Sequence, residues 1–122
     1  MTIITIKKRS EFIRSNKISK KIYTQNFIIQ KFESNNTDNI SHFGFTITKK
    51  IGSAIVRNKI KRRLKSIIRE LLKYKDKYFD LSFNYILICK KEIVRVSYDE
   101  LVNELMDKFK SNRVGWFWND KY

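Results

Sequence analysis

Residues 43–72 read FGFTITKKIGSAIVRNKIKRRLKSIIRELL, and a change of rhythm inside this stretch decides the fold. Up to Thr48 the pattern alternates. Phe43, Phe45 and Ile47 fall on one side and Gly44, Thr46 and Thr48 on the other, the period of a strand. From Ile60 the period lengthens: Ile60, Leu64, Ile67, Ile68, Leu71 and Leu72 keep the spacing of one helix face. At about 100° per residue, Asn58, Arg62, Lys65 and Arg69 gather on the opposite face. A strand therefore runs through a short loop into a helix with an apolar side to bury and a cationic side to present. Gly44 permits a bulge or a close backbone approach. Gly52 and Ser53 stand just ahead of the helix, where backbone N–H groups can meet an anion.

The span 49–69 holds nine basic residues and no acid, with Asp38 and Glu70 as the nearest carboxylates. One reading is a solvated charged face. Lys outnumbers Arg 19 to 8 along the chain, which fits a general compositional bias. Against it, Arg57, Arg62, Arg63 and Arg69, half of all the arginines, lie within thirteen residues. Arg grips phosphate with a planar fork, whereas Lys acts as a point charge. The concentration favours a nucleic-acid backbone as partner.

Outward from this stretch, the chain has 122 residues, 42% hydrophobic, with a net charge of +15. That length suits a single domain over residues 1–122, with an aromatic C-terminal tail at 112–122. The charge opposes compaction and favours anionic partners. Cys89 cannot form an internal disulfide and lies in an apolar run, so a buried small hydrophobe is expected. No window approaches a membrane span, and Met1–Ile6 lacks the pattern of a signal peptide. A cytoplasmic protein is expected.

In chain order, Ile6 to Asn16 is expected as a first helix and Tyr23 to Phe32 as a strand. Residues 34–39 (SNNTDN) form a turn by composition. A strand over Ser41 to Lys49 follows, then the basic helix, ending near Tyr74. Lys75 to Ser82 reads as a polar connector with some aromatics. Phe83 to Lys90 reads as a strand, and its unbroken Ile86-Leu87-Ile88-Cys89 suggests a central strand covered on both faces. The last helix opens with the capping box Ser97-x-x-Glu100, flanked by Val96 and Leu101 as a hydrophobic staple. Tyr98, Leu101, Val102, Leu105, Met106 and Phe109 form its core stripe. In the tail, Trp116, Phe117 and Trp118 can stack on bases or fold back onto the domain, and folding back is favoured. The order helix, strands, helix, strand, helix gives an α+β fold, a two-layer sandwich with one small mixed sheet.

Lys49-Lys50 through Arg57-Asn58-Lys59-Ile60-Lys61-Arg62 resembles the signature of the bacterial ribonuclease P protein subunit, with Lys59 where that family usually has Arg. Phe43 to Lys50 resembles the strand leading into it, and the resemblance extends roughly from Ile6 to Phe109. It implies the same element order with a left-handed crossover through the basic helix, where general principles favour the right-handed one. It further implies contact with the catalytic RNA through Lys49, Lys50, Arg57, Asn58, Lys59, Lys61 and Arg62. Lys65 and Arg69 join them from the cationic face. A cleft between the first helix and the sheet would hold the 5′ leader of precursor tRNA. Phe12 matches one aromatic position of that cleft, while its spacing alone fits a core aromatic covering the sheet equally well. Asn16 and Gln30 stand where further aromatics are expected, and Phe27 or Phe43 is expected to compensate.

By the same resemblance Mg²⁺ is held mainly by the RNA, with none bound by the protein alone and no small-molecule substrate. The residues agree with an inactive protein. His42 is the sole histidine, and the acids show no Asp-x-Asp or similar spacing. Two alternatives remain open: a structural or assembly RNA-binding protein of ribosomal type, and a membrane-surface protein using the basic helix. The membrane reading is weaker, because that helix has no Trp or Phe on its apolar face.

Overall fold

Among the residues that the computed structural model describes (5–6, 20–34, 40–80 and 82–119), four strands form a mixed sheet carrying helices on one face. The strands are β1 (Lys20–Tyr23), β2 (Phe27–Glu33), β3 (Phe43–Thr46) and β4 (Phe83–Cys89), in the order β1-β2-β4-β3. β1 pairs antiparallel with β2 and β2 antiparallel with β4, while β3 and β4 run parallel. Parallel neighbours need a long connection. Here it is supplied by α1 (Ala54–Leu71), a 3₁₀ turn (Leu72–Tyr74) and the one-turn α2 (Lys75–Tyr78). A second 3₁₀ turn (Lys91–Arg95) leads from β4 to α3 (Tyr98–Asn119).

The change of period falls across the loop between β3, which ends at Thr46, and α1, which starts at Ala54. Ser53 caps α1, its hydroxyl accepting from the Val56 N–H at 3.4 Å. A Cβ on Gly52 would lie 3.2 Å from the Val56 Cβ, so the close approach of loop and helix suits glycine. The apolar face from Ile60 to Leu72 is buried at every expected position. Each of those side chains contributes about 1.5–3 kcal/mol by leaving water. α3 starts as its sequence indicates, with the Glu100 N–H donating to the Ser97 hydroxyl at 3.2 Å. Leu101, Leu105 and Phe109 are buried, with Val102 and Met106 packed beside them.

Several expectations are corrected. The strand expected over Tyr23 to Phe32 is the end of one strand, a turn and most of a second. Thr24 makes the turn, its hydroxyl accepting from the N–H groups of Asn26 (3.3 Å) and Phe27 (3.0 Å). No glycine or proline announces it. Asn26 donates to both carboxylate oxygens of Glu104 at 3.1 Å, which ties the turn to α3. The connector after α1 is not merely polar: Tyr78 and Phe79 are buried, and Phe79 contacts the rings of Phe43 (5.0 Å) and Phe109 (4.8 Å). The Ile6 backbone lies beside β3, its N–H donating to the Phe43 carbonyl at 2.8 Å, so Ile6 itself is not part of a helix. The rest of the expected first helix, Phe12 included, lies outside the described residues. α3 runs on to Asn119, through most of the segment expected as a tail.

The largest correction concerns Phe27 and Phe43, both 0% exposed. Strand alternation points them at α1 and α3 together with Ile29, Tyr85 and Leu87, and all join one core. Phe43 stacks on Tyr85 with centroids 5.7 Å apart. Neither ring has surface left for a base, so they are core residues and not leader-cleft residues.

Candidate nucleic-acid interface

The solvent side of α1 follows from its apolar side. With Ile60, Leu64 and Ile67 fixed inward, Asn58, Lys59, Lys61, Arg62 and Arg69 are exposed, and Lys65 is half-buried. Lys49 and Lys50 are exposed in the turn before the helix, held where the Ile51 N–H donates to the Thr48 carbonyl at 3.0 Å. Ile51 is buried beneath them and anchors the loop. Arg57 is half-buried, and its Nε donates back to the Gly52 carbonyl at 3.2 Å. That bond fixes the guanidinium over the loop with its remaining N–H groups available.

The start of α1 is electrostatically unusual. Its first turn contains no acid, although helix N-termini favour negative charge. Instead Arg57, Lys59, Lys61 and Arg62 crowd the first three turns. Arg57 acts against the helix dipole and the four cations repel one another, and an anion bound across them removes both penalties. Ile55, 80% exposed beside these charges, is an apolar side chain placed where a bound partner would cover it.

The other face of the sheet supplies a second feature. Strand pairing aligns Tyr23, Ile28, Ile88 and Thr46 in one row across all four strands. Tyr23 is 65% exposed, and the other three are half-buried. At the opposite end of this face Phe32 and Ile86 pack with Ile6 and are buried. Gln30, at a position where an aromatic was expected, is 2% exposed. The open row lies at the end where the chain leaves Thr46 for Lys49, Lys50 and the start of α1. An exposed aromatic thus shares an end of the molecule with the basic loop. Sequence reasoning missed this row because it took Tyr23 and Ile28 as members of one strand. Their pairing becomes visible once Thr24–Asn26 is read as a turn.

Compared with known proteins, the chain matches the Ribonuclease P family over residues 3–112. The chain belongs to that family. A ribonuclease P protein component from Bacillus cereus (strain AH187) is 32% identical over 105 residues, spanning 86% of this chain and 87% of its own. The ribonuclease P protein of Thermotoga maritima shares the fold with a TM-score of 0.74 at 22% identity, covering 88% of this chain and 96% of that one. The protein from Staphylococcus aureus gives 0.69 at 21% identity, covering 88% and 93%.

Family membership makes the chain a component of a ribonuclease complex. The signature around Arg57-Asn58 occupies the first turns of α1, after a strand and a loop anchored by the buried Ile51. Among the described residues no three His, Cys, Asp or Glu side chains come together as a metal-holding group, and no helix is long and apolar enough to cross a membrane. His42 is half-buried, its backbone N–H donating to the Asn84 side-chain oxygen at 2.9 Å.

Proposed function

We propose that this chain is the RNA-binding protein subunit of the cytoplasmic ribonucleoprotein ribonuclease P, folded as one domain. It binds the catalytic RNA and the 5′ leader of precursor tRNA and assists removal of that leader. The observation that carries this is the adjacency of the cationic start of α1 and the open, tyrosine-edged end of the sheet. Lys49, Lys50, Arg57, Asn58, Lys59, Lys61, Arg62, Lys65 and Arg69 take the phosphates of the catalytic RNA. The leader runs as a single strand over Tyr23, Ile28, Ile88 and Thr46, with Phe12 joining by resemblance. Exposed aromatics beside a positive groove suit single strands because every base has a face to stack.

The physical need for such a protein is charge. Catalytic RNA and precursor tRNA repel each other as polyanions, and a +15 chain between them lowers that repulsion. Phosphodiester hydrolysis draws on Mg²⁺ to activate water and stabilise the leaving oxygen, and in this reading Mg²⁺ is held mainly by the RNA. The protein concentrates substrate and screens charge, and has no activity alone.

The test compares precursor tRNA with protein alone, RNA alone and both, at low and high Mg²⁺. The expected result is cleavage by the pair at low Mg²⁺, by RNA alone only at high Mg²⁺, and none by protein alone. About six phosphate contacts give log affinity against log salt a slope of roughly −4 to −5. Changing Arg57, Arg62 and Lys65 together to Ala should flatten that slope and weaken binding. An unchanged slope would place the RNA elsewhere. The ribosomal-type alternative shares the basic face but has no use for the open row, so loss of leader discrimination on changing Tyr23 separates the two.

A further inference from the structure

A cavity of about 390 Å³ opens between α1, α2 and α3. Aliphatic side chains of α1 and α3 line it together with Tyr74, Tyr78 and Tyr98, and Glu70 and Asp99 complete the lining. Tyr78 is buried, while Tyr74 and Tyr98 are 63% and 38% exposed, so the aromatic wall runs from the interior to the mouth. Both carboxylates are exposed and therefore stand at the mouth. Tyr98 is held in place by a 3.1 Å hydrogen bond between its hydroxyl and that of Ser66, which joins α3 to α1. The volume lies within the range of small-molecule pockets, about 300–1,000 Å³.

We propose that this cavity is a binding site for an amphipathic organic cation, a protonated amine carried on an aromatic or aliphatic body. The chemistry is set by the lining. Aromatic faces attract cations, most strongly when the site is partly desolvated. The apolar interior takes the body, and Asp99 takes the charge. Glu70 is paired with the chain's own Lys73, whose Nζ lies 3.1 Å from one of its carboxylate oxygens, and the Lys77 Nζ sits 5.7 Å from the centre of the Tyr78 ring. Asp99 at the mouth is therefore the carboxylate that meets the incoming charge. In a chain of net charge +15, a tyrosine-lined cavity with two carboxylates selects against the phosphates that the rest of the surface attracts. Occupant and RNA therefore bind together, the occupant being a ligand and not a substrate.

The experiment titrates the isotopically labelled full chain with phenethylammonium and, separately, with phenylpropionate, which pairs a similar body with the opposite charge. Expected are NMR shifts confined to residues 66–78 and 98–106, with the cation bound at least about tenfold more tightly, a preference worth about 1.4 kcal/mol. Tyr74→Ala, at an exposed position that the fold does not need, should weaken phenethylammonium about tenfold. Asp99→Asn should reduce the preference for the cation while leaving the amide spectrum of the free protein unchanged. Adding structured RNA should leave the bound cation in place. Equal binding of the two probes, shifts centred on Tyr23 and Ile28, an unaltered preference in Asp99→Asn, or displacement by RNA would each overturn the proposal. So would self-association with no response to the cation, which would give the cavity to a second copy of the chain.

Discussion

The two faces of the sheet carry similar side chains to opposite ends. On one, Phe27, Ile29, Phe43, Tyr85 and Leu87 meet α1 and α3 and disappear into a single core. On the other, Phe32 and Ile86 are covered, but the row from Tyr23 to Thr46 ends half-open beside the basic loop. Aromatic type does not separate them, since each face has phenylalanine and tyrosine. The difference is coverage: an aromatic can stack on a base only where no helix has taken its surface. Four predictions set one face against the other.

The largest effect belongs to the covered face. Phe43→Ala removes a ring in contact with Phe79 and Tyr85, and should destabilise the protein by about 3–5 kcal/mol in urea unfolding. The milder Phe43→Leu should fold and bind leader-bearing precursor as the parent does. A leader defect in that variant at unchanged stability would return Phe43 to the binding face.

Next comes the clasp that joins the two faces. Glu104→Ala leaves the buried Asn26 amide without its carboxylate, at a cost of about 1–3 kcal/mol. Because that turn positions Tyr23, leader binding should weaken along with stability. Glu104→Gln, which retains an acceptor oxygen, should recover part of both.

On the open face, Tyr23→Ala should change stability by less than about 0.5 kcal/mol, since the side chain is largely in solvent. It should weaken precursor with leader by about 1–3 kcal/mol and leave mature tRNA unaffected. Equal losses for both RNAs would mean that Tyr23 touches the tRNA body instead of the leader.

The smallest effect near neutral pH comes from Cys89, on the covered face. Burial pushes its thiol from the ordinary 9.0 up to about 12, because the interior disfavours the thiolate. Below pH 9 both folded and unfolded chains keep the proton, and stability does not depend on this group. Between about 9 and 12 the unfolded chain releases it while the folded chain retains it, so stability falls as pH rises. Cys89→Ala should remove that component of the slope, read from urea midpoints across the window.

How much could be read beforehand varies along the chain. α1 was legible in full, since its apolar residues keep helical spacing over several turns and its charges follow on the remaining side. β4 was legible from Ile86 to Cys89, because a central strand that is apolar on both faces has no need to alternate, although Ile88 is only half-buried. The start of α3 was legible from Ser97 and Glu100, whose chemistry acts within a few residues. The hairpin at Thr24 was not, because its turn relies on a threonine hydroxyl and on Glu104, which lies far along the chain. Phe79 was missed for a related reason. Two adjacent aromatics in a polar segment, Tyr78 and Phe79, set no period, and only contact with Phe43 and Phe109 shows Phe79 to be core.

By itself, then, the sequence determined the amphipathic helix that carries the cationic face, the strand that feeds it and the family signature at their junction. These depend on residues within a few turns of one another, whose mutual geometry the backbone period sets. Tertiary structure alone decided which aromatics remain in contact with solvent, because burial depends on what packs from elsewhere. The same neighbours that removed Phe27 and Phe43 from the surface left Tyr23 at an open edge, and brought three tyrosines and two carboxylates from α1, α2, α3 and the turn between the first two around one cavity.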